Sequence, residues 1–323
     1  MTSASETPSA VEFCLVAESG ILEQQALVLC ESIRRFAGKY ADSRVTVISP
    51  RATRRPSPRT IQRLHQLNAN YVALDLVSPT PEYGPSHKTL ALGWCARQGG
   101  PDVLVQIDSD TIFLGEPDLG LNGHGAAARP VDVKGICSYG PGDSLEAVWQ
   151  RMCAVCGVDI EAIGYVRSSV GNHLLRASFN GGLVAAHRDV FELAEQCFLH
   201  IAAADIRPNA GETGTMASGS GLVSTPGLQM WGTTQAAFSL AMAKLGRTVR
   251  ILDPGANVPL HMIDELDQLP ARIVHLHYHW LFADDPDKNP ALDGRLPLNP
   301  EQTAWLRARL PLGSDSALHE PAL

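Results

Sequence analysis

The sequence has no basic excess. It carries 26 Lys and Arg against 34 Asp and Glu, a formal net charge of −8. A chain with that balance has no field with which to displace counterions from a nucleic-acid backbone, so general nucleic-acid binding is excluded, while a small basic pocket for a phosphate is not. No apolar run is long enough to cross a bilayer. A secretory signal is also missing, since the opening MTSASETPSA is polar, without a basic start or an apolar stretch. These absences predict a disordered tail over residues 1–10, no transmembrane segment and a cytoplasmic location. Nor is there a disulfide framework. The seven cysteines are odd in number and scattered, which suits reduced, buried thiols. Cys153 and Cys156 form a lone C-x-x-C pair. Without a second pair to complete a zinc site, they read best as two small apolar residues on a helix. Repeats and coiled-coil heptads are absent as well.

What is present is an ordinary globular mixture, 45% hydrophobic and 19% charged, with enough apolar residues for a full core. VEFCLV (Val11–Val16) reads as a buried strand, and Ile21–Phe36 as an amphipathic helix with Leu22, Ala26, Leu29, Ile33 and Phe36 at helical spacing. Strands follow at Arg44–Ser49, Tyr71–Leu76 and Asp102–Ile107, separated by helices at Thr60–Leu67 and His87–Arg97. Strands alternating with helices predict an α/β fold, a mostly parallel mixed sheet covered on both faces. Further on, helices are predicted at Asp143–Cys156, Asp189–Ala203, Thr233–Leu245 and Pro300–Leu310, and strands at Phe179–Ala186, Thr248–Leu252 and Arg272–His279. Arg207–Gln229 is rich in Gly, Ser and Thr and reads as a lid or binding loop.

The sharpest chemical feature is VLVQIDSDTIFLGEPDL. An apolar strand delivers Asp108 and Asp110 to its carboxyl end, where ligands sit in open α/β sheets. Hard divalent cations take oxygen ligands, and magnesium is commonly held by one or two carboxylates plus substrate phosphates; manganese suits the same set. The competing reading is a strand-ending acidic turn. Lys88, near a helix start, either neutralises a phosphate or is a solvated surface lysine. Asn180-Gly181-Gly182 either permits close backbone approach to a sugar or is an ordinary turn. His275, His277 and His279 alternate, so as strand residues they share a face, and one of them is a candidate to complete a cation's shell. Arg51, Arg54, Arg55, Arg59 and Arg63 are a solvated loop and helix face or a phosphate clamp.

QIDSDTIFLGEPD resembles the D-x-D strand of GT-A glycosyltransferases. Three other segments fall in that family's order: SHKTLALGWCAR resembles its lysine-bearing helix, SFNGGLVAAHRDVF its N-G-G strand, and IVHLHYHW its histidine-bearing strand. The resemblance runs from about Val11 to Trp280. It implies a GT-A fold over residues 11–283, with a Rossmann-like nucleotide part (about 11–115), an acceptor part (about 116–283), and an extension over 284–323. It implies a hexosyltransferase-like enzyme moving a sugar from a nucleotide-diphosphate sugar, UDP favoured, to an acceptor hydroxyl. Asp108, Asp110 and His277 would hold Mn2+ or Mg2+. Ala17, Glu18, Arg51, Lys88, Asp108, Ser109, Gly181 and Gly182 would meet the donor, and Asn180 and Glu212 would serve catalysis. Thr234 stands where the family commonly has an acid before Gln235, which leaves inverting and retaining mechanisms open. A haloacid-dehalogenase-like phosphohydrolase would also end a strand in D-x-D, but on its first strand. A nucleotidyltransferase would carry a basic glycine-rich loop after its first strand, where AESGILEQQ stands here. Donor base, acceptor and oligomeric state are not legible.

Overall fold

The computed structural model describes residues 10–218, 221–279 and 294–309. Fourteen strands are present among them: β1 (Val11–Val16), β2 (Arg44–Ser49), β3 (Asn70–Ala73), β4 (Val103–Ile107), β5 (Thr111–Phe113), β6 (Ala126–Pro130), β7 (Tyr165–Arg167), β8 (Leu174–Arg176), β9 (Phe179–His187), β10 (Thr215–Ser218), β11 (Gly221–Ser224), β12 (Val249–Ile251), β13 (Val258–Pro259) and β14 (His275–His277). The α-helices are α1 (Ile21–Phe36), α2 (Pro58–Gln66), α3 (Gly84–Arg97), α4 (Glu146–Cys156), α5 (Arg188–Ala203), α6 (Thr225–Gln229), α7 (Thr233–Lys244) and α8 (Pro300–Arg307).

Seven strands form one mixed sheet in the order β12-β6-β9-β4-β1-β2-β3. All neighbours are parallel except those of β9, which runs antiparallel between β4 and β6. The expected α/β class is therefore present, and strands β1 to β4 share this one sheet with β6, β9 and β12. The inner strands are buried on both faces, which is why β1 and β4, apart from Glu12 and Gln106, read as apolar runs without alternation. One face packs Phe13, Leu15, Val45 and Val105 beneath Ala26, Leu29 and Ile33 of α1. The other packs Cys14, Leu104, Val184 and Ala186 beneath α3, α5 and α7. Each fully buried Leu, Ile or Phe contributes roughly 1.5–3 kcal/mol, and these two layers set the sheet's position between its helices.

Several boundaries differ from expectation for local reasons. Helix α3 begins three residues early because Pro85 suits a first helical turn, so Lys88 lies one turn in. The segment 207–229 holds a hairpin, β10–β11, and the short α6. The last strand is cut to His275–His277, its pairing with β5 spanning three residues, and His279 leaves it at φ 53°. Leu310 lies outside the described residues, as do Trp280 and most of the expected 284–323 extension. All seven cysteines are free and buried, Cys153 and Cys156 on the inner side of α4. Among the described residues, no helix is long and apolar enough to cross a membrane.

Candidate functional site

The carboxyl ends of β1, β2 and β4 lie along one edge of the sheet, and β9, running the other way, brings its start to the same edge. Ile107 is opposite Leu183, and the Asp108 amide donates to the Gly182 carbonyl at 3.1 Å. Asn180-Gly181-Gly182 therefore sits directly beside Asp108-Ser109-Asp110. Thr111 Oγ1 closes the acidic turn by donating to the Asp108 carbonyl at 2.7 Å. The Tyr278 amide donates to the Asp110 carbonyl at 3.1 Å, which draws the end of β14 onto that turn.

The result is a tight cluster. One ligand-type atom from each of Asp110, His277 and His279 lies within 4.8 Å of the others. His277 Nε2 is 3.5 Å from Asp110 Oδ1, and His279 Nδ1 is 3.3 Å from Asp110 Oδ2. The two imidazoles lie 3.9 Å apart between centroids. Two histidine nitrogens and a carboxylate form a mixed donor set that suits manganese or zinc. Asp108 stands one step away. Its Oδ1 pairs with Lys88 Nζ at 2.5 Å, and its Oδ2 is 3.9 Å from His277 Nε2. Of the three alternating histidines, His275 stays behind, fully buried with its ring 4.6 Å from that of Phe113.

The other expected residues divide. Gly181 lies between Gln106 and Lys88: a Cβ there would fall 2.9 Å from Gln106 Nε2 and 3.2 Å from Lys88 Nζ. Gly182 is tighter, its Cβ position only 2.4 Å from both Asn257 Oδ1 and His277 Nδ1. Asn180 does not present a free amide. Its Nδ2 donates to Asp132 Oδ2 at 2.6 Å and its Oδ1 accepts from the Gly182 amide at 2.9 Å. Ser109 Oγ donates to the Val16 carbonyl, tying the acidic turn to β1. Ala17 is fully buried and bonded to β2 through its amide. Glu18, also buried, accepts both Nε and Nη2 of Arg51, with Arg54 Nε 3.7 Å away. Arg51 and Arg54 line a cavity of about 140 Å³ with Glu82, Gly84 and the β11 residues Gly221, Leu222 and Val223. Glu212 is exposed on the approach to β10, held through its backbone by Asn209 and Gln229, and its carboxylate makes no ion pair among the described residues. Thr234 Oγ1, which stands where the resembled family commonly has an acid, hydrogen-bonds the buried Tyr83 hydroxyl at 3.2 Å.

With this geometry in place, likeness to known proteins becomes informative. Residues 13–215 match the family described as the Rhodobacterales glycosyltransferase domain. The chain belongs to that family. Among solved structures it is similar to apo WbbM, a bifunctional glycosyltransferase, at 12% identity and a TM-score of 0.42, over 85% of this chain and 46% of that one. The chain thus spans less than half the length of that structure. No curated protein matches.

The charge balance of this glycosyltransferase domain is unusual at the cluster. Burial pushes the Asp110 carboxyl up, but His277 and His279 outweigh it and hold the group well below the usual carboxylate range. Burial likewise pushes His277 down, and Asp110, then Asp108 and Asp132, carry it above the ordinary imidazole value. Burial, assisted by His279 and His277, drives His261 down to about 4; its ring lies 4.2 Å from that of His279. Asp132 is raised by burial. Asp132, Asn257 and His261 carry no sequence signal of their own. An acid directly after β6, in ARPVD, is the nearest to one.

Proposed function

We propose that this glycosyltransferase domain is a metal-dependent enzyme of the GT-A type that transfers a sugar from a nucleotide-diphosphate sugar, UDP favoured, to an acceptor hydroxyl. The observation that carries the reading is the convergence of Asp110, His277 and His279 beside the Lys88–Asp108 pair at the carboxyl edge of the sheet. Asp110, His277 and His279 would hold Mn2+ or a similar cation, with Asp108 adjacent. When bound there, such a cation supplies charge stabilisation for the departing diphosphate.

The chain's own groups divide the remaining work. Lys88 offers a compact positive charge to a phosphate oxygen, and Asp108 holds its ammonium at the site until a donor arrives. Arg51 and Arg54, aligned by the buried Glu18, line the cavity under β11 and suit the nucleotide end of the donor. Gly181 and Gly182 keep side chains away from the space between Lys88 and His277. Asp132 is the acid the expected catalytic pattern lacked: its Oδ1 is buried without a partner, and it lies in the electrostatic reach of His277. It suits a sugar hydroxyl, and Asn180 is its positioning residue in place of a direct sugar contact.

The phosphohydrolase alternative needs a free aspartate nucleophile on the first strand. Here the acidic pair follows β4, and Asp108 is taken by Lys88. The deciding experiment incubates the protein with Mn2+ and a panel of sugar nucleotides and measures nucleoside diphosphate release with and without EDTA. Metal-dependent release from one donor is expected. No release from any donor together with phosphatase activity sinks the proposal.

A further inference from the structure

Three polar side-chain atoms lie buried and unpartnered behind the cation cluster: Asn257 Oδ1, Asn257 Nδ2 and His277 Nδ1. Unpaired polar atoms in a protein interior are uncommon and costly, about 1–3 kcal/mol in typical cases, so three together require a reason. Asn257 is 1% exposed and His277 4% exposed. Neither group can be satisfied by bulk water.

Gly182 supplies the geometric link. The space its missing Cβ leaves is bordered by Asn257 Oδ1 and by His277 Nδ1, each 2.4 Å from where that carbon would stand. The carboxamide and the ring nitrogen therefore adjoin one methyl-sized gap, with no side chain between them. The backbone holds Asn257 in this place. It adopts φ 57°, a left-handed conformation that asparagine tolerates better than most residues, and it directly precedes β13, which pairs with β14 so that Pro259 is opposite His277. On its other side, His277 turns Nε2 toward Asp110 and Asp108.

We infer that Asn257 is a positioning residue for His277: the two are not hydrogen-bonded in this structure, and closing the gap left by Gly182 lets the carboxamide oxygen accept Nδ1–H, which would fix the tautomer with a bare Nε2 aimed at the cation position. A histidine ligand that binds through one nitrogen generally donates its other N–H to a carbonyl or carboxylate, which orients the ring and raises its basicity. Asn257 is the side chain placed to supply that carbonyl, and Gly182 keeps the gap between them free of a side chain. This assignment rests on the cation reading of the cluster, but it concerns groups of the chain itself.

The test uses the full chain and three variants. Asn257→Gly removes the carboxamide and keeps the left-handed backbone accessible, so folding is preserved. Asn257→Asp restores an acceptor, and Asn257→Leu fills the volume without one. In the metal-free wild type, at a pH above the His277 titration, long-range 15N–1H correlation spectra are expected to show His277 protonated on Nδ1 alone. N257G and N257L lose that single tautomer, and N257D keeps it. Titration with Mn2+ alone is expected to be roughly 10–100-fold weaker for N257G and N257L than for wild type, with N257D closer to wild type. At that pH, a neutral His277 protonated on Nε2 in the wild type, or the Nδ1–H tautomer persisting in N257G, overturns the inference. If the wild type binds no Mn2+, the cation reading fails on its own while the tautomer measurement still decides the role of Asn257.

Discussion

Asn180 Nδ2 donates to Asp132 Oδ2 at 2.6 Å across 48 residues of sequence, joining the start of β9 to the end of β6 at the sheet's carboxyl edge. The bond assigns the two residues different tasks. Asn180 has both amide ends occupied, whereas Asp132 keeps a buried Oδ1 without a partner. Asn180→Ala is expected to destabilise the fold by about 1–3 kcal/mol, the usual cost of leaving a buried polar partner unsatisfied. Asp132→Ala is expected to lower turnover roughly tenfold or more, the worth of a hydrogen bond to a charged group. Because both changes break one contact, the double variant should lose less than the two losses combined. Calorimetric melting and steady-state rates of the three variants check this, and strictly additive effects would refute the coupling.

Lys88 and Asp110 both lie at the acidic turn, yet they should fail in different ways. Asp110 contributes an oxygen to the three-residue cluster, and Lys88 contributes none. Asp110→Ala is expected to abolish Mn2+ binding in a direct titration and activity with it. Lys88→Met is expected to bind Mn2+ and to lose roughly 10²–10³ in kcat, the scale of removing one fixed charge-stabilising donor. Loss of Mn2+ binding in the lysine variant would place Lys88 among the groups that build the cation site.

How much of this was readable beforehand follows from where each residue lies. Strand β4 and Asp108 were legible because a doubly buried strand is a nearly continuous apolar run, broken here only by Gln106, and an acid at its end stands out. His277 and His279 were legible as an alternating pair, but alternation alone could not reject His275, which lies two positions further into the core against Phe113. The β10–β11 hairpin was hidden because Gly, Ser and Thr dominate its segment and its apolar residues are few. Asp132 lies just after β6 and Asn257 just before β13, both in ordinary turn sequence. Their significance comes from partners far along the chain, Asn180 and Gly182, which no local pattern encodes.

The two adjacent glycines offer a sharper contrast. At Gly181 an added methyl meets the ends of two flexible side chains, Gln106 and Lys88, at 2.9 and 3.2 Å. At Gly182 it would be 2.4 Å from both Asn257 Oδ1, just before β13, and His277 Nδ1, on the neighbouring β14. Gly181→Ala is therefore expected to keep Mn2+ binding and fold normally with a modest change in turnover. Gly182→Ala is expected to displace His277 and weaken Mn2+ binding at least as much as loss of the Asn257 carboxamide. Equal Mn2+ affinity for the two alanine variants would contradict this.

Far from the cluster, Arg176 is buried at 1% and is held by Glu146 at 2.6 Å, while its Nη1 reaches the Ile160 and Ile163 carbonyls. Arg176→Met leaves Glu146 charged and buried without its partner, and a broken pair of this kind typically costs about 3–5 kcal/mol. Burial raises the Glu146 carboxyl, but Arg176 and Ser138 outweigh it, and the group lies below its ordinary value of 4.5. A carboxylate depressed in the folded state stabilises fully above its unfolded pKa, and that contribution is lost as pH falls through the folded one. Urea unfolding midpoints of wild type and Glu146→Gln should therefore differ most at neutral pH. The gap should begin to close as pH falls below about 4.5, and a gap that stays constant into strong acid would show that the pair contributes through packing and not through charge.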